Sequence, residues 1–421
     1  MTGGADAGRT RSTREIVLLA VLGAASLAWL TAEVWHVTWG LEQLDFAVYV
    51  LGAHHVVDGH LYSVTLPDVP RLPFTYPPVS ALAFVPLTVL PRQAAQSVWA
   101  VVNVASLYGI ILLSLRAVRP GMDRTGLLLW SLVLLGPSFL LDPVRLDFYF
   151  GQVNLVLVAL ILVDLTTTVR LGRRALPRGV LVGLTAAVKL VPLVFVPFLF
   201  VTGRTRAAVT SVVTFAVATL LAAAVDPAVS WSYWTRYATD ASRVGDPAFY
   251  LNQSLLAAVD RYEHRLVSPI AVDGVAVLVL VAGIALARWA WRDSSPFLGI
   301  LVSAATGMVV SPITWEHHMV WCVPIVLWLA VAPDRPAGGP LYAAAGALVL
   351  WWAPINHVPS APGAQFTEHG WTLVAGDAFF ALTVLFLVGI AVLLTVRRGR
   401  RRRTPGLSAP RSPTTSTAAT T

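Results

Sequence analysis

The chain has 421 residues, 56% of them hydrophobic and 12% charged, with a mean hydropathy of +0.71 and a formal net charge of +8. Soluble domains carry about 25% charged residues, and this much apolar surface cannot be hidden in a water-soluble core. A secreted enzyme, a nucleic-acid binder and a disordered scaffold are excluded, and the composition is that of a polytopic membrane protein.

Arg9, Arg11 and Arg14 precede a long apolar segment with no obvious cleavage site, which reads as an uncleaved first span. A span needs about 20 mostly apolar residues. Candidate spans lie at 15–36, 93–115, 125–141, 151–169, 206–225, 270–291, 296–311, 316–333, 340–354 and 373–396. Two further apolar stretches are interrupted: 77–90 is short and bounded by Pro77, Pro78 and Pro91, and 178–202 contains Pro192 and Pro197. The expected fold class is therefore an all-α polytopic membrane protein with about 10–12 transmembrane helices, two of its elements broken or re-entrant. Irregular backbone at membrane depth is tolerated only where protein or a water-filled cavity covers it, so both are expected to line an internal cavity.

Arginine placement orients the chain, since positive loops stay inside. Treating 77–90 and 178–202 as elements that return puts Arg116, Arg119 and Arg124, the cluster Arg170–Arg178, Arg204, Arg206, Arg288, Arg292 and Arg335 inside. Segments 37–76, 142–150, 226–269, the turn around 311–317 and 355–372 then face outside. This organisation predicts a disordered cytoplasmic N-terminus (1–14), a membrane domain (15–396) and a basic then disordered cytoplasmic tail (397–421). The six arginines between Arg397 and Arg403 account for most of the net charge, which falls to +2 without them, and read as a cytoplasmic anchor.

Polar residues gather in the outside-facing segments. Asp45 and Tyr49 are four apart and share one face of a helix; the carboxylate suits a general base at the membrane surface, or equally an interfacial cap. Tyr76 precedes Pro77 and Pro78, which shape a turn where the ring can meet a substrate. Arg145, Asp147, Gln152 and Asn154 sit before a span, placed either for substrate or for hydrogen bonds between helices. Lys189 is the sole lysine and lies within an apolar stretch, suited to a lipid phosphate or to snorkelling. Trp231, Tyr233, Trp234 and Tyr237 read as a membrane belt, followed by Asn252 and Gln253, whose amides suit sugar hydroxyls. Trp315, Glu316, His317 and His318 form the densest polar cluster. Adjacent histidines point about 100° apart on a helix, so a metal site is disfavoured. Cys322 lies in an apolar run and carries no redox information.

Taken together, Asp45-Phe-x-x-Tyr49, Tyr76-Pro-Pro, Gly151-Gln-Val-Asn154, Ala187-Val-Lys189-Leu-x-Pro192, Asn252-Gln-Ser254 and Ser311-Pro-x-x-Trp315-x-His317-His318 resemble the polyprenol-phosphate-mannose-dependent mannosyltransferases of glycosyltransferase family 87, in the GT-C superfamily. The resemblance spans about residues 40–330 and includes enzymes of actinobacterial phosphatidylinositol mannoside synthesis. It implies a GT-C fold in the plasma membrane with its active site on the outer face, a polyprenyl-phosphate-mannose donor and a glycolipid acceptor. It implies an inverting transfer giving an α-1,2-mannosyl product, with Asp45 as base and His318 as its catalytic partner. Tyr49, Tyr76, Arg145, Asp147, Gln152, Asn154, Lys189, Asn252, Gln253, Trp315 and His317 are implied to bind substrate, with Lys189 and His318 at the donor phosphate. No cofactor or metal is expected, and Glu316 falls where the family is not usually acidic. The competing expectations are transfer of another lipid-linked sugar such as arabinose, and a lipid flippase or transporter; a transporter would place its polar groups at midplane in paired broken helices.

Overall fold

A computed structural model describes residues 11–40, 43–67, 71–361, 363–367 and 369–403. The expected disordered tails fall largely outside these residues, although helix starts at Thr13 and the basic run continues the last helix to Arg403. In chain order the helices are α1 (Thr13–Gly40), α2 (Leu44–His54), α3 (Pro78–Phe84), α4 (Arg92–Val118), α5 (Arg124–Val133), α6 (Leu135–Phe139), α7 (Asp142–Phe150) and α8 (Asn154–Thr166). There follow α9 (Val180–Val188), α10 (Phe195–Val201), α11 (Thr205–Val225), α12 (Pro227–Ser232), α13 (Leu255–Tyr262) and α14 (Pro269–Asp293). The last are α15 (Pro296–Val310), α16 (Cys322–Val331), α17 (Gly339–Trp352), α18 (Trp371–Gly376) and α19 (Ala378–Arg403). Among the described residues the named strands are one small ribbon, β1 (Arg170–Leu171) against β2 (Arg174–Ala175).

The all-α polytopic reading holds. Five described helices, α1, α4, α11, α14 and α19, are long and apolar enough to cross a membrane, and α7 with α8 makes a sixth span if the pair, bent by 115°, is counted as one. The other expected spans are helical but shorter. That at 125–141 breaks into α5 and α6 just before Pro137, whose ring cannot accept a continuous helix. Those at 296–311, 316–333 and 340–354 are short helices, the second entered through a 3-10 turn, Glu316–Trp321. Short interior helices are tolerated because neighbouring protein satisfies the backbone. Segment 77–90 is α3 followed by a 3-10 turn, and 178–202 is α9, a 3-10 turn Val191–Val194 and α10, so both broken elements occur where expected. The bend between α7 and α8 was not among them.

The long helices turn apolar side chains outward, as Leu220, Leu278, Val281 and Leu385 show. Inside, Leu107, Ile110, Leu162, Phe198, Leu298 and Trp328 build the main core. A second core of Phe46, Tyr49, Leu61, Phe74, Phe84 and Trp99 lies beneath the first loop and holds α2. Gly52 permits this packing, because a Cβ there would lie 2.4 Å from the Phe74 ring.

Two glycine pairings set the element that ends in Lys189. Gly179, at φ 98°, and Gly183 face α11, where added Cβ atoms would lie 2.1 Å from the Ala207 carbonyl oxygen and 2.4 Å from that of Ser211. Small residues four apart let helix backbones approach closely in a membrane. The Asp164 carboxylate accepts the Gly179 and Val182 N–H groups at 2.8 and 2.9 Å, capping α9.

Hydrogen bonds tie the connecting segments together at one end of the bundle: the Gln43 side chain to the Phe148 carbonyl, Asn356 to Asp142, and Gln253 to the Gly376 carbonyl. The opposite end collects arginines, with Arg11 on Asp123 and Arg397 on Ser294 and the Asp334 carbonyl.

The α7–α8 bend turns at Gly151, φ 66°, where a Cβ would lie 2.6 Å from the Phe46 Cβ. Gly151→Ala pays a left-handed penalty of about 1–2 kcal/mol and pushes α2 away. The expected outcome is a lower unfolding temperature in detergent; an unchanged one contradicts this role for the bend.

Candidate active site

Asp45 lies in the first turn of α2, half-buried and outside the candidate spans. Gln43 before it adopts φ 46°, an uncommon conformation for a residue with a Cβ, and its side-chain amide donates to the Phe148 carbonyl at 3.0 Å. With Phe46 against Gly151, this pins Asp45 to the α7–α8 bend. Burial raises the Asp45 carboxyl above its ordinary pKa of 3.8, opposed by the charge of His317, the Gln152 side chain and Lys189.

One turn further, Tyr49 stacks on Phe84 at 4.5 Å and donates its hydroxyl to Gln152 Oε1 at 2.8 Å. Tyr76 packs beside Tyr49 at 5.0 Å, with Gln152 Nε2 at 3.4 Å from its hydroxyl. Its carbonyl accepts the Tyr62 hydroxyl at 2.8 Å, which fixes the turn before Pro77.

Asn154 opens α8 and is the hub. Its Nδ2 donates to Asp147 Oδ1 at 2.9 Å and to the His317 carbonyl at 3.0 Å, while its Oδ1 accepts Lys189 Nζ at 2.8 Å. Lys189 is the extended residue that ends α9. Its Nζ lies 2.8 Å from His318 Nε2 and 5.4 Å from the centre of the Tyr76 ring. The Trp315 N–H points at His318 Nδ1 at 3.2 Å. A neutral imidazole accepts at one nitrogen only, and the closer contact is the ammonium's at 2.8 Å, so Nε2 accepts from Lys189. The Lys189 ammonium thus donates to Asn154 Oδ1 and His318 Nε2 and keeps its third N–H for an anionic oxygen.

A cavity of about 50 Å³ adjoins this pair, with Asn154, Lys189, Thr314 and His318 on its polar side and Leu157, Phe195 and Met308 among its apolar lining. Among the described residues no group of three His, Cys, Asp or Glu side chains is arranged to hold a metal ion.

The structure thus brings together Asp45, Tyr49, Tyr76, Asp147, Gln152, Asn154, Lys189, His317 and His318. The remaining expected site residues are placed differently. Arg145 is 46% exposed and pairs with Asp142. Asn252 spends its amide on the Pro247 and Pro312 carbonyls and accepts the Thr314 N–H. Gln253 donates to the Tyr250 and Gly376 carbonyls and accepts two N–H groups, from Phe379 and Phe380. These two amides hold the 311–318 turn and the start of α19, rather than standing free for a sugar. Trp315 turns its ring to Phe249, 6.4 Å away, and serves His318 through its backbone. Sequence reasoning missed Gln43 and Asn103, which donates to the Gln152 carbonyl at 3.3 Å; an amide midway along an apolar span was the available signal.

A helical membrane protein with a carboxylate, amides and a hydrogen-bonded lysine–histidine pair gathered at one end of its bundle has the make-up of a membrane-embedded group transferase. Residues 74–312 match Glycosyltransferase family 87, and the chain belongs to that family. It is 32% identical over 395 residues to the polyprenol-phosphate-mannose-dependent alpha-(1-2)-phosphatidylinositol mannoside mannosyltransferase of Mycobacterium tuberculosis, covering 87% of this chain and 90% of that one. It is 36% identical over 353 residues to the polyprenol-phosphate-mannose-dependent alpha-(1-2)-phosphatidylinositol pentamannoside mannosyltransferase of another strain of that species, covering 81% and 78%. The mannoside enzyme of Mycolicibacterium smegmatis is 29% identical over 417 residues, covering 92% and 91%. No solved structure matches.

Replacing Asn154 with Ala leaves Lys189 and Asp147 without their shared partner. Stranding a buried charge costs about 3–5 kcal/mol, so Asn154→Ala is expected to unfold at markedly lower temperature in detergent. A variant as stable as wild type would show that the hub is not structural.

Proposed function

We propose that this chain transfers mannose from polyprenyl-phosphate-mannose to a phosphatidylinositol mannoside, inverting the anomeric carbon to form an α-1,2 linkage. The observation that carries the reading is that Asp45 lies beside Gln152 and within electrostatic reach of Lys189, which is itself seated on Asn154 and His318. The names of the relatives support the classes of donor and acceptor.

In this scheme Asp45 removes the proton of the acceptor hydroxyl as its oxygen attacks the mannosyl carbon. The bond to the carrier phosphate breaks, and Lys189 and His318 stabilise the charge gathering on the departing oxygen. Gln152, Tyr49 and Tyr76 border the sugar, and Asn154 and Asp147 hold the lysine in place. The apolar lining beneath Lys189 suits the start of a lipid chain. Residues 15–396 form the catalytic domain, with the acid on loop 37–76, and 397–421 a basic cytoplasmic tail. The positive-inside rule places the site on the outer face of the plasma membrane with both termini cytoplasmic.

The test is sugar transfer by purified protein in detergent with EDTA, offered radiolabelled donor and a panel of phosphatidylinositol mannosides. Wild type is expected to incorporate mannose, and Asp45→Asn to lose about 10²–10⁴-fold in rate. A base works ionised, so the rate falls as pH drops through the raised Asp45 pKa. The acid limb is therefore expected above the ordinary carboxylate value of 3.8. Full activity of Asp45→Asn, or an acid limb at or below that value, sinks the assignment; donor movement across vesicles without transfer favours a transporter.

A further inference from the structure

Gln152 follows the glycine at which α7 turns into α8, and this stretch of main chain is held from α4. Asn103 donates to the Gln152 carbonyl at 3.3 Å, and Trp99 Nε1 to that of Gly151 at 2.8 Å. The Gln152 N–H donates to the Asp147 carbonyl at 2.8 Å. Its side chain is 1% exposed and meets Tyr49, Tyr76 and Asp45. A side-chain amide has an oxygen that accepts and an NH2 that donates, and an anchored backbone does not decide which end points where. Tyr49 sets it. Its hydroxyl, on a residue that is 0% exposed, donates to Gln152 Oε1 at 2.8 Å. Nε2 is thereby turned to the other side, where it hydrogen-bonds Asp45 and lies 3.4 Å from the Tyr76 hydroxyl.

The opposite setting of the amide would bring Oε1 against the Asp45 carboxylate, two acceptors face to face, and only a protonated carboxyl could bond it. A general base works ionised, so the orientation of one buried amide decides which form of Asp45 the site favours. Tyr49 stands one turn after Asp45 on α2, and its ring is packed by Phe84 at 4.5 Å and Tyr76 at 5.0 Å, which restrains the hydroxyl. The charged and titratable groups facing Asp45 come from each element around it. From α7 comes Asp147, which accepts from Asn154, while Asp142 and Arg145 pair with one another. From the end of α9 comes Lys189, from the segment before α3 comes Tyr76, and from the 3-10 turn after α15 come Glu316 and His317, 3.8 Å apart. α3 and the turn Val85–Leu87 carry none. Among these neighbours Gln152 acts on Asp45 through a hydrogen bond rather than a charge.

We propose that Tyr49 is a positioning residue: its hydroxyl locks the Gln152 amide with Nε2 turned to Asp45, so that one carboxylate oxygen is bonded and the other stays open for the acceptor hydroxyl. The proposal rests on Asp45 being the base. It gives the Tyr49 hydroxyl a task that needs no contact with sugar or lipid, and makes Gln152 the group through which it acts. Neither side chain gives up a proton, so the pair is unchanged after each turnover. Without the hydroxyl the amide is free to present either end to Asp45.

The test is kcat and both KM values across pH for wild type, Tyr49→Phe, Gln152→Met and the double variant, with donor and acceptor as above. Removing an N–H that bonds the carboxylate raises the Asp45 pKa further, so the acid limb, below which the base is protonated, moves to higher pH. Gln152→Met is expected to move it by about one unit. Tyr49→Phe keeps the ring packing and loses only the hydroxyl. It is expected to move the limb the same way, by no more than Gln152→Met does, with both KM values within about twofold of wild type. The double variant is expected to match Gln152→Met, because Tyr49 acts through the amide alone. A limb unmoved in either single variant, or moved further in the double variant than in Gln152→Met, overturns the proposal. If Gln152→Met does not fold, Tyr49→Phe decides: a limb at higher pH supports the proposal and an unmoved limb overturns it. Transfer by Asp45→Asn equal to wild type signals failure of the base assignment instead, whatever the Tyr49 and Gln152 variants do.

Discussion

One side-chain amide carries the geometry of this protein. Asn154 uses both hydrogens and its oxygen, on Asp147, the backbone of His317 and Lys189, and so joins α7, α8, α9 and the turn after α15. In an apolar bundle the cost of breaking any of these bonds is that of an unpaired buried group. The amide therefore fixes where a solitary ammonium stands. Everything around it serves that placement: Gly179 and Gly183 let α9 press against α11, Asp164 caps α9, and the α7–α8 bend delivers Asn154 at the start of its helix.

The same bend fixes the opposing carboxylate. Gln43 reaches the end of α7, and Phe46 fills the space left by Gly151, so Asp45 and Lys189 are positioned from one corner. In the proposed scheme Asp45 as base and Lys189 with His318 at the phosphate share one rigid support and need little reorganisation when charge shifts between them, which is how preorganised sites lower barriers. The loops that complete the end of the bundle are stitched by backbone-directed amides, Asn252 and Gln253, that never face the cavity.

Much of this was legible in the sequence, for physical reasons that differ from residue to residue. Lys189 stood out because a lone ionisable group in an apolar stretch is costly. The breaks at 77–90 and 178–202 were visible as prolines, and Asp45 and Tyr49 as one helical face. The bend between α7 and α8 was not, since Gly151 closes an otherwise ordinary helical segment and the left-handed φ leaves no periodic signature. Asn252 and Gln253 looked like sugar ligands because amides read alike whether they bond hydroxyls or distant carbonyls, and only tertiary structure tells these apart. Span lengths were overestimated because apolar runs in a covered interior can break without losing hydropathy. Glu316 was visible as an acid, but its pairing with His317 depends on a 3-10 turn, not on helical spacing.

The central claim is that Lys189, held by Asn154 and facing His318, is the seat of a lipid phosphate. The direct measurement is the affinity of purified protein in nanodiscs for polyprenyl phosphate, compared between wild type and Lys189→Met. Losing one charged partner of a buried phosphate contact is worth about 2–5 kcal/mol, so binding is expected to weaken by more than about tenfold while the variant stays folded. Equal affinity in a folded Lys189→Met protein would contradict the account.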